Sequence, residues 1–167
     1  IYLSNSSPRI RNCTIRNNTA NDSDWVIGGG IACFDSSSPE IVNCTINNNR
    51  SEAIGNDWGF GGGIGVENGC SLTITDSFIT DNYAKYGGGG ISVSFTSDVT
   101  ITNAIINGNS VQSPPTQNFC GGGMSLFYQS TATIINSNIV DNSAPYGSAI
   151  SSENTENTID ILNSIVW

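Results

Sequence analysis

Residues 61–82 read Gly61-Gly62-Gly63-Ile64-Gly65-Val66-Glu67-Asn68-Gly69-Cys70-Ser71-Leu72-Thr73-Ile74-Thr75-Asp76-Ser77-Phe78-Ile79-Thr80-Asp81-Asn82. A glycine cluster is followed by an apolar residue, and ten residues later by Ile-x-Asx-small-x-Ile-x-x-Asn. The pattern recurs along the chain. The clusters are Gly28–Ile31, Gly61–Ile64, Gly88–Ile91, Gly121–Met124 and the degenerate Gly147-Ser148-Ala149-Ile150. The anchors that follow are Ile41, Ile74, Ile101, Ile134 and, after a spacing one residue longer, Ile161, with Ile10 ahead of them. Two amide columns run in register. One is Asn12, Asn43, Asp76, Asn103, Asn136 and Asn163; the other is Asn18, Asn49, Asn82, Asn109 and Asn142. Self-similarity at a fixed period identifies a solenoid.

The physics of one coil selects the type of solenoid. Leu72–Thr75 and Val99–Thr102 are short, β-branched and alternating, which marks half-buried strands too short to be helices. Coils of 27 to 33 residues hold three short strands and three bends. Stacked about 4.8 Å apart, they superpose like residues. The expected fold is therefore all-β: a right-handed parallel β-helix of about five and a half coils, in one domain over residues 1–167. Ile10, Ile41, Ile74, Ile101, Ile134 and Ile161 should form a buried stack. The column containing Asn43, Asn103 and Asn136 should form an inward amide ladder, with Asp76 accepting from its neighbours.

These columns resemble the repeats of polymorphic outer-membrane proteins and the wider pectate-lyase-like group of β-helices. That resemblance covers essentially the whole chain. The outer-membrane repeats typically carry Phe where this chain has Ile15, Ile46, Ile79, Ile106 and Ile139. It implies a structural or adhesive module of a secreted or cell-surface bacterial protein, or a fragment of a polysaccharide lyase or glycoside hydrolase. The chain is expected to be a segment of a longer protein, packed coil on coil against flanking repeats.

Composition narrows the partners. A net charge of −9, no His and only five Lys plus Arg argue against nucleic acid. No apolar stretch is long enough to span a membrane. Gly59–Gly63 imitates a phosphate loop, but it recurs in register and precedes a strand. Cys13 and Cys44 share a column about 4.8 Å apart, within disulfide range, and read as either stacked buried thiols, the favoured state, or a disulfide.

Coil length varies only at the corner after the second amide column. Ile31 to Ile64 spans 33 residues, Ile64 to Ile91 spans 27, and Ile91 to Met124 spans 33. Long loops on a rigid scaffold are where function concentrates. The loops Arg50–Phe60 and Ser110–Cys120 flank the short corner Tyr83-Ala84-Lys85-Tyr86. Their walls stand two coil steps apart, about 9 to 10 Å. This outlines a notch for a polysaccharide or cell-surface glycan, with Trp58, Tyr83, Lys85, Tyr86 and Phe119 as candidate contacts and Lys85 favouring an acidic sugar. Trp58 should lie above Trp25. Asp57 above Asp24 is a candidate calcium site, since stacked carboxylates need a cation or proton between them.

Overall fold

In a computed structural model the protein is described over residues 1–55, 58–112, 120–153 and 156–167. All strand pairs among them are parallel. Three six-stranded sheets run the length of the stack. The first contains Tyr2–Ser4, Ile31–Phe34, Ile64–Val66, Ile91–Val93, Met124–Leu126 and Ile150–Ser152. The second contains Arg9–Arg11, Glu40–Val42, Ser71–Thr75, Asp98–Thr102, Thr131–Ile135 and Thr158–Leu162. The third contains Thr14–Arg16, Thr45–Asn47, Phe78–Thr80, Ile105–Asn107, Asn138–Val140 and Ile165–Val166. A fourth sheet of Thr19–Asp22, Arg50–Ala53, Tyr83–Ala84 and Ser110–Val111 closes each coil. The loops add the pair Val26–Ile27 with Gly59–Phe60.

The register is the one the repeat dictates. Ile64 pairs with Ile31 and Ile91, Ile74 with Ile41 and Ile101, and Ile79 with Ile46 and Ile106. These side chains are fully buried in one continuous core. The anchor stack is buried at Ile41, Ile74, Ile101 and Ile134, half-buried at Ile10 and 46% exposed at Ile161. The last two occupy the end coils, which have a neighbouring coil on one side only. Arg9 pairs with Glu40 at 2.6 Å as its column requires, in an exposed position where such a pair contributes little.

The amide ladder is in the other column. Asn43, Asn103 and Asn136 are exposed and adopt left-handed backbone, with φ of 50°, 52° and 50°. Asn12, Asp76 and Asn163 do the same. They are bend residues, for which a short polar side chain is suited. Asn103 still donates to Asp76 Oδ1 at 3.1 Å, but across the surface. The buried ladder is Asn49→Asn82→Asn109→Asn142, entered from the exposed Asn18, with Nδ2 to Oδ1 distances from Asn18 onward of 2.8, 3.0, 3.0 and 3.0 Å. Each Oδ1 from Asn49 to Asn142 also accepts a backbone N–H from the coil before, and each Nδ2 in that range also donates to an isoleucine carbonyl. Every polar atom of these buried amides is thus satisfied, the condition for tolerating them in a core.

The glycine clusters fit around that ladder. A Cβ on Gly63 would stand 2.7 Å from Gly90 O and 3.0 Å from Asn82 Nδ2, so only glycine lets the strand approach the amide. Gly61 supplies the positive φ, 64°, that turns the chain into the first sheet.

None of the five cysteines is in a disulfide; Cys13 is exposed, and Cys33, Cys44, Cys70 and Cys120 are buried. Burial, with the nearby Cys70 adding to it, pushes the Cys33 thiol up to about 12. That thiol is inert as a nucleophile.

Candidate aromatic groove

Alternation along the first sheet aims one set of side chains into the core and the next outward. The outward positions form two columns. Ala32, Gly65, Ser92 and Ser125 are small. Phe34, Glu67, Ser94, Phe127 and Glu153 follow two residues later. The small column leaves room for the long loops to fold onto the sheet, and Ile27 fills the space that a side chain at Gly65 would need. Ile27, Phe60, Tyr86 and Phe127 pack into a second apolar cluster there, with Phe34 and Trp58 against it.

Above this cluster lies an open cavity of about 230 Å³, lined by Trp25, Trp58, Phe60, Phe127 and Tyr128 together with Glu67 and Glu153. Trp25 and Trp58 stack with centroids 6.2 Å apart, and Trp25 meets Phe60 at 5.1 Å. Phe60 meets Phe127 edge-on at 5.4 Å. The row continues from Trp25 to Phe95 at 6.4 Å and from Phe95 to Tyr128 at 4.7 Å, nearly parallel at 12°. Trp25, Phe95 and Tyr128 remain substantially exposed.

Phe95 and Tyr128 occupy costly positions. The corner after the first sheet requires two consecutive left-handed residues. Asp35-Ser36 and Asn68-Gly69 fill it in two coils, whereas Phe95-Thr96 and Tyr128-Gln129 fill it in the next two, with φ of 52°, 58°, 49° and 62°. Asp, Asn and Gly tolerate that region; an aromatic and a β-branched residue do so only under strain. Strain of this kind persists where surrounding structure enforces it, commonly at functional surfaces.

The groove is acidic. Glu67 is buried, and its Oε1 accepts from Trp25 Nε1–H at 3.2 Å and from Ser94 Oγ–H at 2.9 Å. Burial pushes its carboxyl above the usual range, and the two hydrogen bonds partly offset that. Burial pushes Glu153 up as well. Glu67 and Glu153 stand three coil steps apart, about 14 Å between backbones.

The residues expected to form the notch are placed differently from one another. Trp58 lies over Trp25 as its column requires and lines the groove. Tyr86 is buried beneath it, 4.8 Å from the Trp58 ring. Lys85 is committed to the loop: Nζ donates to Ala53 O at 2.8 Å and to Gly55 O. Tyr83 carries the Arg50 guanidinium over its ring at 4.1 Å and donates to Gln112 Oε1. Asp24 is exposed. Phe119 and Asp57 lie outside the described residues. No cluster of three or more potential metal ligands occurs among the described residues. Glu67, Phe95, Phe127 and Tyr128 were not singled out from the sequence, although outward parity from Ile64 and Met124 marks Glu67 and Phe127.

The architecture defines a parallel β-solenoid that carries an aromatic, acidic groove on one sheet. The chain matches the family described as right handed beta helix region over residues 1–60 and 56–167, and it belongs to that family. The match is to the broad family and does not reach a narrower repeat class. Searches of curated proteins and of solved structures return no match.

Proposed function

We propose that this β-helix is a structural and adhesive module of a secreted or cell-surface protein, and that the aromatic groove is its glycan-binding site. The observation that carries the reading is the aromatic row Trp58–Trp25–Phe95–Tyr128, exposed at Trp25, Phe95 and Tyr128 and half-buried at Trp58, in which Phe95 and Tyr128 occupy strained corner positions that Asp and Asn fill in other coils. Flat aromatic faces with an N–H or O–H at one edge suit the amphipathic faces of sugars. A rigid solenoid holds them without ordering cost on binding.

Trp58 joins the expected contacts to the groove. Tyr86 supports it from below, and Tyr83 and Lys85 belong to the neighbouring corner. The polysaccharide lyase or hydrolase alternative gains less support. Paired-carboxylate hydrolysis needs two carboxyl groups facing one scissile bond, whereas the Glu67 carboxylate is buried and its Oε1 is committed to Trp25 and Ser94. Glycan-array screening tests the reading. Wild-type protein should bind a set of oligosaccharides, and Trp25→Ala with Trp58→Ala should abolish the signal. Retained binding in that double variant would overturn the groove. The proposed calcium site at Asp24 and Asp57 is tested separately, by whether calcium raises the melting temperature.

A further inference from the structure

Charge decides which sugars the groove should accept. Both hydrogen bonds to Glu67 reach Oε1, and Oε2 receives none from a described residue. Glu153 adds a second carboxylate to the same cavity. No Lys or Arg lines it among the described residues. The cations of the chain are engaged or placed elsewhere: Arg9 and Arg11 with Glu40, Arg50 with Glu52, Lys85 with loop carbonyls, and Arg16 on the third sheet. The aromatic rings present negative faces as well, and a cation over such a face is attracted to it.

We propose that the groove recognises an organic ammonium group carried on a sugar, so that its ligand is a glycan containing unacetylated amino sugar. The inference rests on the glycan reading above and reverses the acidic preference drawn from Lys85. An ammonium entering the cavity gains a charge-assisted hydrogen bond to the open Glu67 oxygen and a cation–π contact with the rings. A carboxylated sugar meets two like charges and no counter-charge.

Isothermal titration calorimetry on the whole chain at neutral pH and low salt, with four probes, tests this. The probes are a β-1,4 glucosamine tetramer, its N-acetylated counterpart, cellotetraose and choline. The glucosamine tetramer should bind about tenfold more tightly than the two neutral tetramers, and Glu67→Gln should bring that ratio to about one. Glutamine keeps an acceptor for Trp25 and Ser94. Equal wild-type affinity for charged and neutral tetramers overturns the ammonium inference and leaves glycan binding standing. Choline binding without any tetramer binding overturns the glycan reading and supports ammonium recognition. Binding of none of the four overturns both. Should Glu67→Gln fail to fold, the half-buried Glu153→Gln and a salt titration replace it. Both should shrink the ratio, and a ratio indifferent to both refutes the proposal.

Discussion

Replacing Asn82 with leucine isolates the contribution of the buried ladder. The two side chains have nearly the same shape, so the change removes polar atoms without opening a large cavity. Asn82 Oδ1 accepts the Asn49 backbone N–H at 2.9 Å and Asn49 Nδ2 at 3.0 Å. Its Nδ2 donates to Ile46 O at 2.9 Å and to Asn109 Oδ1 at 3.0 Å. After substitution Asn49 Nδ2 retains Ile15 O, and Asn109 Oδ1 retains the residue-82 backbone N–H. The Asn49 N–H loses its side-chain acceptor in a dry interior, which costs about 1–3 kcal/mol, and the remaining lost bonds cost about 0.5–1.5 kcal/mol each. The extra apolar burial returns about 1–2 kcal/mol. The expected net loss is about 2–5 kcal/mol, measured as the shift in the urea unfolding curve by circular dichroism. Asn103→Leu is the control. It is exposed, loses one bond to Asp76, and leaves a branched residue in left-handed backbone, for about 1–2 kcal/mol. Equal losses in the two variants, or a loss below about 1 kcal/mol for Asn82→Leu, would refute the assignment of the ladder to this column.

Two further outcomes follow from the groove. Thr96→Gly removes a β-branched residue from φ 58° and should stabilise the protein by about 1–2 kcal/mol in the same assay; an unchanged or lowered stability would mean the corner is not strained. Glu67 has its carboxyl raised in the folded state, so its contribution to stability is fully present below the ordinary carboxylate range and is lost as pH rises through the raised value. Melting temperature should therefore fall over that window in wild type and fall less in Glu67→Gln, with Glu153 supplying a remaining slope of the same sign. A steeper slope in the variant would contradict this.

The period, the parallel stacking and the core columns were legible from residues alone, because in a solenoid each position meets its own counterpart one coil away. Recurrence at 27 and 33 residues is then itself a contact map, and Ile64, Ile74 and Ile79 fall on Ile91, Ile101 and Ile106 as that map requires. What sequence could not decide was which amide column turns inward. Counting by twos from Ile74 places Asp76 inside. The backbone instead goes left-handed at Asp76 and again at Asp81, and the residue after each bend, Ser77 or Asn82, points in. Asparagine serves both as a bend residue and as a ladder residue, so its identity is silent on the choice and only the chain's path settles it. The groove required the same information. Trp25, Trp58 and Phe60 belong to loops, and Glu67, Phe95, Phe127 and Tyr128 to the first sheet and its corner. The repeat aligns each group with itself, but nothing in the period says that the loops fold back over that sheet. The small column Ala32, Gly65, Ser92 and Ser125 leaves space there that the loop aromatics and Ile27 can fill, and burying those apolar faces against the sheet is what brings the two groups together.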